Sequence, residues 1–210
     1  MSKKESLTIS PPNIKTAEFT IIGTAPYVQN KFSAKAKMQI KITQEAGSAG
    51  KKGRKREPKD FKECYKEAMH ISREGWLGIP APAFRAAMVS ACRLVGFKMT
   101  VAKLSIFVEP DGFDNEDNTP LVKITKGEPE YTELPVKNET GVIDLRARPA
   151  WREGWEAKLR VKYDGDQFTL EDVANLLMRV GMQVGIGEGR PDSRKSCGMG
   201  WGTFELKGDK

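Results

Sequence analysis

The sequence predicts an α+β fold: a ferredoxin-like or RRM-like antiparallel sheet with two helices on one face and a basic insertion after the first strands. Two observations lead there. Segments that alternate apolar and polar residues with period two recur along the chain, and three segments carry helical character instead. Taken as strand–helix–strand–strand–helix–strand, their order brings two helices to one face of a four-stranded antiparallel sheet and leaves the other face open. At 210 residues, 39% of them apolar and 30% charged, the chain fits a single domain over 1–210 with a substantial core.

Residues 17–23 (AEFTIIG) read as the first strand. In 33–43, Ala34, Ala36, Met38, Ile40 and Ile42 alternate with Lys35, Lys37, Gln39 and Lys41, which predicts a strand with one basic face. A flexible, strongly basic insertion follows at 45–60, too polar to bury. Residues 61–76 carry helical character. Pro80 and Pro82 impose extended backbone ahead of a helix over 83–96, which Gly96 ends. Strands are predicted over 101–110 and 120–125, with a solvated acidic turn at 111–118 between them, and 130–137 and 141–149 read as extended. Residues 156–164 alternate Ala157, Leu159, Val161 and Tyr163 with Lys158, Arg160 and Lys162, another strand with a basic face. Thr169 and Asp172 have capping-box spacing before a helix over 170–181, and the last strand is 201–206.

The net charge of +7 is concentrated. Ten Lys or Arg and two acids lie between Lys31 and Lys59, which makes that stretch +8 and the remainder −1. A local basic patch is the electrostatic footprint of a polyanion partner, and a solvated loop kept soluble by charge is the alternative reading. Seven glycines fall between 181 and 202, around Arg190, Arg194, Lys195 and Trp201. Glycine at that density serves positive φ or the close approach of a ligand or of another strand, and the sequence leaves both open. GIGEGR follows a helix and runs into Pro191, so it is not the dinucleotide fingerprint, which follows a strand and opens a helix.

The run Ile79-Pro80-Ala81-Pro82-Ala83-Phe84-Arg85-Ala86-Ala87, with the late Gly185-Ile186-Gly187-Glu188-Gly189-Arg190-Pro191 and Gly198-Met199-Gly200-Trp201-Gly202-Thr203-Phe204, resembles the RAMP superfamily. These are ferredoxin-like RNA-binding proteins of class 1 CRISPR systems, and the likeness is to their backbone subunits. The resemblance implies a glycine-rich loop that touches RNA, an insertion that grips the strand or a neighbouring subunit, and assembly along the strand. Arg146-Ala147-Arg148-Pro149 with Trp155 is also similar to small phage proteins. The chain is short for a backbone subunit. Its sole histidine, His70, lies outside the motif near the first helix where the processing nucleases of the superfamily often carry theirs.

Residues and resemblance together point to a non-catalytic protein that binds single-stranded nucleic acid, RNA before DNA, without reading sequence, and that self-associates along it. The phosphate-contact candidates are Lys31, Lys35, Lys37, Lys41, Lys51, Lys52, Arg54, Lys55, Arg56, Arg85, Arg148, Arg152, Arg190, Arg194 and Lys195. Gly187 and Gly189 offer bare amides, and Trp151, between Arg148 and Arg152, is the candidate exposed stacking platform. The alternatives are a phage-encoded adaptor that joins CRISPR effector subunits and an RNA-processing nuclease using His70, which otherwise reads as a structural histidine. No cofactor and no metal site is expected from one histidine and three scattered cysteines. No apolar run reaches the ~20 residues of a membrane span. The polar N-terminus carries no secretion signal, so a cytoplasmic location is expected, in a prokaryotic or phage-infected cell.

Overall fold

The computed structural model describes residues 9–45, 47, 58–137, 143–193 and 199–208. It is a mixed α+β fold with two antiparallel sheets and several helices. The larger sheet is built on β1 (Ile14–Gly23) and β9 (Glu156–Asp164), which pair from Ile14↔Asp164 to Ile22↔Glu156. On its other side β1 pairs with β10 (Phe204–Leu206). The far edge of β9 is shared by β4 (Ile106–Glu109) and β6 (Pro120–Lys126). Short strands β3 (Gly78–Pro80) and β5 (Gly112–Phe113) pair with β6.

The alternation of β9 is used as the sequence predicts. Ala157, Leu159, Val161 and Tyr163 are buried, and its cations face outward. The buried face meets α3 (Ala81–Ala91), through Phe84 and Met88, and α5 (Leu170–Arg179), through Val173, Leu176 and Leu177. Alanines at 81, 87 and 91 keep α3 thin where it lies on the sheet. A 3₁₀ turn over Cys92–Val95 carries α3 to Gly96, whose φ of 69° supplies the left-handed stop. Both halves of the Thr169–Asp172 capping box are formed.

The second sheet orders β2 (Tyr27–Val28), β8 (Ile143–Trp151) and β7 (Pro129–Lys137). Gln29 N–H donates to the Pro149 carbonyl, so Pro149 turns its backbone toward β2. Its partner Tyr131 therefore turns outward, as do Pro129 and Pro135, which share its parity.

Three expectations are corrected. Residues 33–43 form no strand: α1 spans Ala34–Glu45, with Ser33 Oγ accepting from Ala36 N–H at 3.2 Å. A period-two stripe needs a sheet to bury it, and none is there; Ala, Lys, Met and Gln then favour helix. This helix buries no residue, and Met38 and Ile40 remain 65% and 46% exposed. Helix 61–76 is cut to α2 (Phe61–Glu67), N-capped by Asp60, after which Ile71↔Leu77 bridges across a turn at Gly75. Residues 101–110 divide into α4 (Met99–Ser105) and β4, because Arg85 secures the joint between them by donating to the Lys103 and Ile106 carbonyls. Much of the insertion, including Lys51, Lys52, Arg54, Lys55 and Arg56, lies outside the described residues, as do Arg194 and Lys195.

Candidate functional site: the groove beside the glycine-rich loop

A cavity of about 590 Å³ opens between the second sheet and the loop after α5. Leu134, Pro135, Val136 and Arg146 form one wall, and Gly187–Arg190 with Trp201 form the other. Tyr27, Gln29, Asn30, His70 and the start of α3 close its end.

The loop reaches this place because α5 continues into a π turn over Val180–Val184, and glycine then allows very close backbone contacts. Ile186 N–H donates to the Gly202 carbonyl (3.0 Å), Glu188 N–H to Val28 (2.9 Å) and Gly202 N–H to Pro26 (2.7 Å). A Cβ on Gly202 would stand 1.8 Å from the Ile186 oxygen, and one on Gly187 2.5 Å from that of Val28. Both have positive φ. Part of the glycine density is therefore explained by chain crossing, one of the two readings the sequence left open. Gly187 and Gly189 also line the groove, although Val28 with Tyr27 and the Trp201 ring take the space their Cβ atoms would need, and their amides find no acceptor among the described residues.

Much of the charge in and around the groove is paired. Arg148 Nε donates to Glu188 Oε2 at 2.7 Å, and Arg146 Nη1 lies 3.3 Å from Glu188 Oε1. Arg146 also lies 3.7 Å from Asp144, whose other oxygen holds Lys59 at the downstream root of the basic insertion. One chain of ion pairs thus runs from the insertion's root, across β8, to the glycine-rich loop. Asp192 fastens the loop's far side to α3, accepting from Ser90 Oγ (2.5 Å) and Arg93 Nη2 (2.7 Å). Those bonds, Ser90's first, hold its carboxyl below the usual range.

Behind the groove lies a polar cluster. Asp114 is fully buried, and Lys31 is only 5% exposed. Asp114 Oδ1 accepts from Lys31 Nζ (2.9 Å), and its Oδ2 lies 2.8 Å from His70 Nδ1. The amides of Glu116 and Asp117 donate to Oδ1 as well. Burial opposes the Asp114 charge, but the Lys31 and Glu116 bonds outweigh it and lower its pKa. Burial likewise opposes the Lys31 charge, and Glu116 with Asp114 reverses the balance, so its pKa is raised. For His70 burial prevails over Asp114 and the pKa falls, which leaves a neutral ring donating Nδ1–H to Asp114. Its Nε2 makes no hydrogen bond to a described residue. His70, Asp114 and Asp117 bring ligand atoms within 4.8 Å of one another, a spacing that could hold a metal ion. Lys31 and Lys37 already supply the positive charge there, so a dication would have to displace an ammonium group.

Several site expectations change. Lys31 is buried against Asp114 and Glu116 rather than set along a strand face. Trp151 is not an exposed platform: it is 0% exposed beside Tyr27, because β8 runs on through it and alternation turns it inward, opposite in face to Arg148. Arg85 meets carbonyls and the Phe107 ring. Lys37 pairs with Asp117, Arg152 with Glu130, and Lys41 lies 3.9 Å from Glu45. Lys35 is engaged too. Arg190 lines the groove and donates to the Gly187 carbonyl at 3.0 Å.

The outer face of the large sheet is likewise neutralised, with Lys158 on Glu18, Arg160 on Glu109 and Asp111, and Lys162 on Glu109. The sequence reading did not select Arg146, Glu188, Asn30 or Asp114. The alternation of Asp144, Arg146 and Arg148 along β8 was the available signal for the first of these. Neither a protein-family model nor a curated protein sequence matches this chain. Among the described residues no helix is long and apolar enough to cross a membrane.

Proposed function

We propose that this protein binds single-stranded nucleic acid, RNA in preference to DNA and without sequence specificity, in the groove between β7–β8 and the glycine-rich loop. The order β10–β1–β9–β4, linked by α3 and α5, is read as a ferredoxin-like core to which the second sheet is added. The observation that carries the reading is the continuity from Lys59 through Asp144, Arg146 and Glu188 to the loop. It puts the root of the most cationic stretch of the sequence beside a cleft with an aromatic at its rim, Trp201. A basic segment supplies sequence-independent affinity by counterion release, and a nearby cleft can seat bases. Cations are paired on both surfaces, so it is the cleft itself, with Trp201 among its lining, that favours the groove over the outer face of the large sheet. Copies lined up along one strand, each reaching forward with its insertion, complete the proposal. Gel-shift titrations at several salt concentrations, with and without residues 47–57, test it. Deletion is expected to weaken binding and flatten its salt dependence, and unchanged affinity counts against the insertion as an arm.

One observation favours a second reading. A neutral histidine whose Nδ1 is held by a buried carboxylate, on the wall of a cleft, has the arrangement of a general base. Cleavage of a hairpin RNA by the wild type and not by His70→Ala would establish a nuclease; intact RNA in both leaves His70 structural.

A further inference from the structure

Arg146 and Arg148 sit two residues apart on one face of β8 and converge on a single carboxylate, that of Glu188. All three side chains are largely buried: 30%, 12% and 18% exposed. Two guanidinium groups aimed at one pair of anionic oxygens is the geometry by which proteins grip phosphate, since the planar fork matches a carboxylate and a phosphate alike. Glu188 and Arg146 both line the groove, so the oxygens of Glu188 lie where a ligand's would. Gly187 and Gly189, on either side of it, have φ of 79° and 76°, and their amides make no hydrogen bond to a described residue.

The geometry points to a phosphate site at Arg146–Arg148, with Glu188 holding the ligand's place. A backbone phosphate of the bound strand takes that place by turning the Glu188 side chain aside. This rests on the nucleic-acid reading and adds where one phosphate is held and what it must displace. Glu188 thereby lowers affinity for every anion, and weak ones are excluded most.

The test is Glu188→Gln, which keeps the side chain's shape and removes its charge. Fluorescence anisotropy with labelled oligo(U) and oligo(dT) is read across a salt series beside the wild type. Binding is expected to tighten by about tenfold at low salt, with a slope against log salt steeper by up to about 0.7, the value of one phosphate contact on a single strand. Arg148→Gln added to Glu188→Gln should cancel the gain. Circular dichroism and melting of each variant show that the fold persists. If the wild type binds and folded Glu188→Gln binds no better, Glu188 is a structural latch and the inference is overturned. If neither binds any strand, the nucleic-acid reading fails, and inorganic pyrophosphate then decides the site. A rise in melting temperature of Glu188→Gln larger than that of the wild type supports a phosphate site with another ligand; no rise overturns it.

Discussion

Asp114→Asn removes the charge at the centre of the buried cluster. Asparagine keeps an oxygen for the Glu116 and Asp117 amides, at 2.9 and 3.3 Å in the wild type, so those bonds survive. What is lost is the negative charge beside Lys31, whose remaining anionic partner is Glu116, itself 57% exposed. Also lost is the Oδ2 acceptor of His70 Nδ1–H, where an amide NH2 obliges the ring to take its other tautomer. Removing one partner of a buried pair costs about 3–5 kcal/mol, and the remaining Glu116 contact places this variant at about 3. With a urea m value of about 2–3 kcal/mol/M, the unfolding midpoint should fall by about 1–1.5 M. Lys31→Met in the same background removes the stranded ammonium. The double variant should therefore be more stable than the sum of the single effects by about 0.5–3 kcal/mol. Equilibrium urea unfolding followed by tryptophan fluorescence measures all four proteins. A midpoint shift below about 0.3 M for Asp114→Asn, or strict additivity in the cycle, would refute the account of a mutually dependent buried pair.

Other outcomes follow from the same geometry. Because the His70 pKa is lowered in the folded protein, the unfolded chain binds more protons below pH ~6.5. His70's contribution is therefore complete above ~6.5 and is lost as pH falls toward its folded value, at up to about 1.4 kcal/mol per pH unit, and His70→Gln should flatten that limb of a stability–pH curve. Asp114, also lowered, adds a second loss that begins below pH ~3.8. Gly202→Ala should cost more than about 3 kcal/mol in thermal unfolding, since its Cβ meets the Ile186 oxygen at 1.8 Å. Gly200→Ala, with similar φ but open space, should cost about 1 kcal/mol, and equal losses would contradict the crossing geometry. Trp201→Ala should weaken oligonucleotide binding by about 1–3 kcal/mol if a base stacks at the groove's rim, as anisotropy would report.

What the sequence disclosed was local. The limits of β9, the Thr169 cap and the Gly96 stop each rest on a few neighbouring residues, and each was read correctly from them. Residues 33–43 misled because alternation marks a strand only where a sheet edge receives it, and that is a property of distant chain. Trp151 misled for a related reason: the arginines around it drew attention, while burial depended on β8 continuing two residues past Pro149 to meet Tyr27. Asp114, in a run of acids that looks solvated, could not be recognised as buried without knowing that Lys31, 83 residues away, would lie against it. The glycine-rich loop was found easily by composition, whereas its division between chain crossing and an open cleft needed coordinates.

The proline pair on the outer edge of β7 sets a limit on how copies of this molecule can meet. The backbones that point outward there belong to positions 129, 131, 133, 135 and 137, and two of the five have no hydrogen to offer. Tyr65 already occupies the oxygen of the first. A visiting strand would find a broken ladder, so fibre-like stacking through this hairpin is discouraged even at high concentration. An array that runs through this edge must be held by side chains, and if copies are gathered on a nucleic-acid strand as proposed, digesting the strand should release them.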